Sequence, residues 1–324
     1  MTAGAGTRNA GGLPFIVGGS ALWGTDALFR RGLALDLPAT TVVFVEHLLL
    51  TLLTLPVLLR ARRRLRALRW PDWVAILLIG AGSSAGATVL FTAAFAYGDP
   101  NAPLLLQKLQ PVVAVLGARV LLGERLLPRY GMFFGLAVGA AYLITFPDPT
   151  AVTVARLTPA LLASGAAALW GLGTVLGRRL STALDPAELT AVRFAVGLPA
   201  SALLVVVVGG RSGFTAAAIS DLPALLLLAL IPGLAALALY YHGLSRTPAA
   251  LATLGELAFP LSALVVNYVA FGATVSLTQA LGVLLLSATI ALMSVLARRG
   301  SRPLGVEDPL AGGPAQPAGL PARP

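Results

Sequence analysis

Asn101-Ala-Pro-Leu-Leu-Leu-Gln-Lys-Leu-Gln-Pro-Val-Val-Ala114 sets a lysine inside an apolar helix, and it is the only lysine in 324 residues. The other basic residues are arginines, almost all at the edges of apolar runs. An ionised side chain at the centre of a membrane helix costs ~2.5–3.5 kcal/mol on insertion scales, so Lys108 requires compensation. The best candidate stands 149 positions after Gln107, where Leu254-Gly-Glu-Leu-Ala-Phe-Pro260 repeats the Gln107-to-Pro111 spacing with Glu256 and Pro260.

Working outward, 57% of the residues are hydrophobic and 11% charged, with mean hydropathy +0.86. Soluble chains carry roughly 25% charged residues, so this chain reads as a polytopic membrane protein. Its formal charge of +10 does not require a nucleic-acid partner, because arginines in short loops between spans serve orientation. The absence of cysteine excludes disulfides, thiolate metal sites and cysteine nucleophiles. His47 and His242 are the only histidines. No metal site, cofactor or catalytic residue is expected. The first apolar stretch follows no cleavable leader and is expected to stay as a span.

Apolar runs long enough for a bilayer lie at 13–33, 38–59, 72–97, 101–122, 127–147, 158–180, 187–209, 222–243, 248–271 and 276–297. The expectation is an all-α integral membrane protein of ten transmembrane helices. Residues 1–12 are read as a cytoplasmic N-terminus, and the proline-rich 298–324 as a disordered cytoplasmic tail. Alternate loops hold fifteen arginines on one side, six of them within 60–69, against Arg30, Arg31, Arg156 and Arg211 on the other. That bias places both termini in the cytoplasm. The halves 13–147 and 158–297 repeat: Ala21-Leu-Trp-Gly24 matches Ala168-Leu-Trp-Gly171, Pro111 matches Pro260, and Gly123 matches Gly272. Five spans per half force the second copy to insert upside down. Inverted repeats are characteristic of secondary transporters, whose site lies near the midplane between halves, although a duplicated channel or membrane enzyme would repeat too.

These features in this order resemble the EamA-type drug/metabolite transporter family. The Ala-Leu-Trp-Gly openings, the Pro186-to-Arg193 second span, Pro111 and Pro260, and Leu122-Gly-Glu-Arg-Leu126 carry the likeness across residues 13–297. The resemblance implies gradient-driven movement of a small metabolite, often export of amino acids or related compounds. Glu46 stands where the family often has arginine, Ala273 where the first half has Glu124, and Lys108 is uncommon at its position.

On a helical wheel, Gln107, Pro111, Ala114 and Ala118 share a stripe with Lys108 and Gln110 at its margins. Lys108 is a cation for a substrate carboxylate or coupled partner, or else half of a structural pair or a snorkelling side chain. Span nine mirrors it, with Ala249, Thr253, Glu256, Pro260, Ala263 and Asn267 on one side. Glu256 either couples a proton or neutralises Lys108. Glu46 has the same two readings, its structural partner being Arg193 or Lys108. His47 reads as a satisfied interior histidine. Arg193 either binds an anionic group or snorkels. Asp26 and Arg30 read as a local i, i+4 pair. Trp23 and Trp170 stand at equivalent places and could wall one cavity. Tyr240, Tyr241 and His242 either touch substrate or mark the interface. Gly131, Gly135 and Gly139 suit packing within the chain or a homodimer seam.

The expected function is alternating-access transport of small polar or amphipathic metabolites, amino-acid-like compounds favoured, by export across the cytoplasmic membrane. The rivals are import of sugars or drug-like cations, and a membrane enzyme on lipid-linked substrates. Because the chain lacks cysteine, its orientation can be tested cleanly. A cysteine at Ser301 should react with an impermeant maleimide in inverted vesicles only, and one at Ser212 in intact cells only; the reverse would invert the topology.

Overall fold

A lipid-embedded backbone must satisfy its own N–H and C=O groups, and helices do so within one segment. The computed structural model describes residues 10–97, 99–123, 126, 129–209, 219–244, 246–247, 252 and 255–300. Among these residues every regular element is helical. The expectations at Arg8, Glu124, Arg125, Arg211, Ala249, Thr253 and Arg302, and the tail beyond Gly300, lie outside the described residues.

The helices are α1 (Leu13–Gly24), α2 (Asp26–Asp36), α3 (Ala39–Arg66), α4 (Trp70–Tyr97) and α5 (Asn101–Leu122). They continue with α6 (Tyr130–Thr145), α7 (Val154–Leu180), α8 (Pro186–Val208), α9 (Leu222–Leu244), α10 (Ala258–Phe271) and α11 (Leu277–Gly300). Seven are long and apolar enough to cross a membrane, and α6 and α10 are shorter apolar helices. The run expected at 13–33 is two helices, broken at Thr25, whose hydroxyl and N–H both donate to the Leu22 carbonyl. Within the run expected at 248–271, α10 starts at Ala258, after a turn at Glu256 and Leu257. α11 runs on to Gly300, three residues into the stretch expected as tail.

Local sequence accounts for the ends. Asp185-Pro-Ala-Glu188 caps α8 reciprocally: the Glu188 N–H donates to Asp185 at 2.9 Å, and the Asp185 N–H to Glu188 at 3.1 Å. Arg64 on α3 adds a 2.8 Å bond to Glu188, tying α3 to this cap. α5 and α10 both stop at a glycine with positive φ, Gly123 (69°) and Gly272 (62°), a conformation that costs glycine least. In the α6–α7 connection, Thr150 donates its hydroxyl at 2.7 Å and its N–H at 2.9 Å to Asp148, holding that carboxyl below its ordinary range.

The Ala-Leu-Trp-Gly motif has a packing reason. A Cβ on Gly24 would fall 2.8 Å from the Phe259 carbonyl oxygen and 2.7 Å from the Ala263 nitrogen of α10, and would collide with the Ser262 hydroxyl. A Cβ on Gly171 would fall 2.8 Å from the Gln110 carbonyl oxygen and 3.1 Å from the Ala114 nitrogen of α5. Gln110 and Ala114 precede Phe259 and Ala263 by 149 positions. Each motif glycine therefore seats its helix on a corresponding helix of the other half. The wider packing follows suit: α1 packs on α9 and α10, α7 on α4 and α5, α3 on α8, and α6 on α11.

Helix irregularities recur at the same separation. π-helical segments occupy Leu78–Gly86 of α4 and Ala229–Ala235 of α9, ending 149 positions apart. In α4 the small residues admit neighbours closely: a Cβ on Gly80 would meet Val196 of α8 at 2.5 Å, and one on Gly173 of α7 would collide with Ser83. Gly131, Gly135 and Gly139, by contrast, have nothing within 4 Å of a built Cβ. That corrects the reading of this stripe as packing within the chain, because it faces away from the bundle. Large apolar side chains also point outward, Val120 at 73% and Val269 at 78% exposure, as a lipid-facing surface requires.

Gly24→Ala should destabilise the protein by about 1–3 kcal/mol through overpacking, whereas Gly32→Ala, with nothing within 4 Å of its built Cβ, should not. Thermal unfolding of the purified variants side by side checks this, and equal melting would refute the close-approach role.

Candidate functional site

A cavity of about 540 Å³ lies where the two halves meet. Residues of α1 to α5 line it, as do residues of α7 to α10 and Glu256. Trp23, Glu46, Gln107, Lys108, Gln110, Trp170, Arg193, Tyr241 and Glu256 all line it. Asn267 does not. It is fully buried against α5, donating its amide to Asn101 Oδ1 at 2.8 Å. The wheel placed Asn267 with Glu256, but eleven residues separate them, ~16 Å along a helix axis.

The most extensive polar contact in the cavity wall centres on Arg30. Its Nε and Nη2 donate to the two Asp26 carboxylate oxygens at 2.6 and 3.0 Å. Nη1 and Nη2 donate to the two Glu46 oxygens at 3.0 and 3.1 Å, and Nη1 also to Thr92 Oγ1 at 2.8 Å. The Phe91 ring lies 5.6 Å from the guanidinium carbon. The Asp26–Arg30 pair expected from i, i+4 spacing is therefore part of a triad. Glu46 pairs with Arg30, not with Arg193 or Lys108. The reason is level: Arg30 stands six residues before the end of α2 and Glu46 seven after the start of α3, so antiparallel helices bring them abreast.

A second chain of bonds crosses the cavity wall. Arg193 Nε donates to Ser84 Oγ at 3.4 Å, and Ser84 Oγ lies 3.0 Å from His47 Nε2. His47 Nδ1 lies 2.9 Å from the Val43 carbonyl oxygen, one turn earlier. A carbonyl only accepts, so Nδ1 carries the proton and Nε2 accepts from Ser84. His47 is thus a satisfied interior histidine. Gly197 gives its ring room, since a Cβ there would come within 2.6 Å of His47 Cδ2.

Lys108 and Glu256 occupy corresponding breaks in their helices. Gln107–Leu109 is a 3-10 turn inside α5, and Glu256 and Leu257 form the turn before α10. A 3-10 turn aligns residues three apart, which sets Gln107 and Gln110 on the cavity side together. Gln110 Nε2 donates to Thr174 Oγ1 at 3.0 Å. Lys108 Nζ sits 4.6 Å from the centroid of the Phe259 ring. Among the described residues no carboxylate oxygen lies within 4.0 Å of it. Glu256 shares the cavity and acts on Lys108 electrostatically without pairing, and its carboxylate accepts from the Tyr240 hydroxyl.

Aromatic rings complete the walls. Trp23 lies 5.0 Å from Tyr240, and Trp170 lies 5.1 Å from Phe91, centroid to centroid. Sequence reasoning named Tyr240 only together with Tyr241 and His242, and did not select Phe259, Ser84 or Thr92. Phe259 abuts the Pro260 motif and could have been found by that adjacency; the others carry no local signal. Among the described residues no group of three His, Cys, Asp or Glu is placed to hold a metal ion.

Comparison with known proteins follows this geometry. A model of the EamA-like transporter family matches twice, over residues 10–146 and 157–295. A riboflavin transporter, ImpX, from Fusobacterium nucleatum subsp. nucleatum is 32% identical over 288 residues, covering 86% of this chain and 95% of that protein. A solved crystal structure superposes with a TM-score of 0.60 at 22% identity, covering 91% of this chain and 100% of the other, which speaks to the fold.

Removing the Arg30 guanidinium would leave two carboxylates buried without a cation, a loss worth on the order of 3–5 kcal/mol. Arg30→Met should therefore unfold at markedly lower temperature, and adding Asp26→Asn and Glu46→Gln should recover most of the loss. An Arg30→Met protein as stable as the parent would overturn the triad's structural role.

Proposed function

This chain belongs to the EamA-like transporter family, and on that premise we propose that it carries a small aromatic metabolite through the cavity between its halves. It is a multi-pass membrane transporter and not an enzyme. We read the architecture as ten spans in two inverted five-helix repeats, 13–147 and 158–297. The double family match, the 149-residue recurrence of helix breaks and the reciprocal packing support this reading. Alternating access then consists of rocking one repeat against the other about the cavity. Both termini are assigned to the cytoplasm on the arginine bias, and the open glycine face of α6 favours a homodimer over packing within the chain.

The observation that carries the substrate reading is an aromatic box with polar margins. Trp23, Trp170, Phe91, Phe259, Tyr240 and Tyr241 supply flat faces around the cavity, and Gln107, Gln110 and Glu256 supply directional polar groups. A planar heteroaromatic ring with polar edges, of the flavin type, suits such a lining. The 32% identical riboflavin transporter supports this class. An amino-acid-like substrate is the second reading. The presence of Lys108 and Glu256, opposite in charge and not paired with each other, favours it, since a zwitterion presents both signs. Direction is proposed as export, following the family resemblance.

Counterflow in proteoliposomes loaded with riboflavin or with amino acids tests the proposal. Riboflavin exchange should occur and fall on the order of three- to tenfold in Trp23→Ala and Trp170→Ala, the effect of losing one stacking partner. Exchange of amino acids without riboflavin would replace the flavin reading by the second one. Accumulation in whole cells, lower with the protein than without it, would support export.

A further inference from the structure

The cavity holds three basic side chains, and they are treated unequally. Arg30 meets four carboxylate oxygens and a hydroxyl. Arg193 and Lys108 meet none: among the described residues neither has a carboxylate oxygen within 4.0 Å. Of the five N–H donors of Arg193, only the one on Nε has an acceptor among the described residues, the Ser84 hydroxyl at a long 3.4 Å. The Phe194 ring lies 5.7 Å from the guanidinium carbon. Lys108 has three donors and no hydrogen-bond acceptor among the described residues, and the Phe259 ring lies against its ammonium. The two come from opposite halves, Lys108 from α5 and Arg193 from α8, and both line the same space.

The chain had a solution for a buried cation and used it at Arg30. At Lys108 and Arg193 it supplies aromatic faces, which tolerate a cation without consuming its hydrogen-bond donors. Glu256 does not change this, because it accepts from Tyr240 and stays out of pairing distance of Lys108. Charged groups left without a protein partner in such a setting find their complement in a ligand.

We propose that Lys108 and Arg193 form an anion clamp and that the transported molecule carries a carboxylate or phosphate group held by these two side chains. The proposal rests on the cavity being the transport site. It narrows the substrate class to an anionic or zwitterionic aromatic compound, the flat ring lying against the aromatic walls and the anionic group between the two halves. Seating the anion draws a residue of each half toward a common ligand, so occupancy favours a conformation in which the halves approach.

The test uses the full chain in lipid nanodiscs and two pairs of probes, one differing by a terminal phosphate and the other by a carboxylate in place of an amide. Riboflavin 5′-phosphate is compared with riboflavin, and tryptophan with tryptophanamide, by calorimetric binding and by ligand-induced shift of the melting temperature. In at least one pair the anionic member should bind about tenfold or more tightly. Lys108→Met and Arg193→Met should each abolish that preference. Without ligand, both variants should melt no lower than the parent, because they remove a charge that no described carboxylate neutralises. A clear drop in melting temperature would make the cations structural and overturn the proposal. Equal binding within both pairs, or binding of no probe, would also overturn it. A silent flavin pair beside an anion preference in the indole pair would remove the flavin reading alone and keep the clamp.

Discussion

Arg30 joins three helices through one rigid fork, and the architecture around the cavity depends on it. Two carboxylates and a guanidinium, each costly to withdraw from water, become tolerable only when all four oxygens meet donors. The requirement is geometric. α2 must run antiparallel beside α3 at a level that brings Glu46 to Arg30, and α4 must present Thr92 to the same guanidinium. Shifting α2 or α3 by a turn would leave an unpaired charge in a low dielectric, and shifting α4 would remove the Thr92 acceptor. The triad therefore contributes less to net stability than to the uniqueness of one arrangement.

Interrupted helices are the complementary device. The 3-10 turn at Gln107–Leu109 and the turn at Glu256 and Leu257 direct polar side chains into the cavity from opposite halves. Broken helices are tolerated at membrane depth where they line a cavity or lie within protein. The π-helical segments of α4 and α9 contribute residues to the same space, Ser84 from one, Pro232 and Gly233 from the other. Four of the backbone irregularities thus border the cavity, while the π-helical Val205–Gly209 at the end of α8 contributes nothing to its lining. The glycine contacts of α1 on α10 and of α7 on α5, repeated by Gly24 and Gly171, keep the two halves in close register behind it.

Much of the candidate site was legible because charge inside an apolar run is conspicuous. Lys108, Glu256, Glu46 and Arg193 stood out on that ground, and the tryptophans by their place in the repeat; all of them line the cavity. Asn267 stood out for the same reason and lies elsewhere, since a polar residue in a span can also be satisfied by another helix, here by Asn101. Pairing was less legible than placement. Arg30 looked satisfied by Asp26 alone, and the step to Glu46 needed the depth of both residues along antiparallel helices. Tyr240, as bonded partner of Glu256, had no distinguishing signal against its neighbour Tyr241.

The sequence by itself determined membrane residence, helical class, the repeat and the short roster of intramembrane charges, because each follows from local hydropathy, periodicity or composition. Only the tertiary structure decided which charges neutralise one another and which stay open to the cavity. Ion pairing in a low dielectric depends on distances of 3–4 Å between helices distant in sequence, and hydropathy carries no information about them. It took the fold to divide the three cavity cations into one that two carboxylates neutralise and two that no described carboxylate pairs.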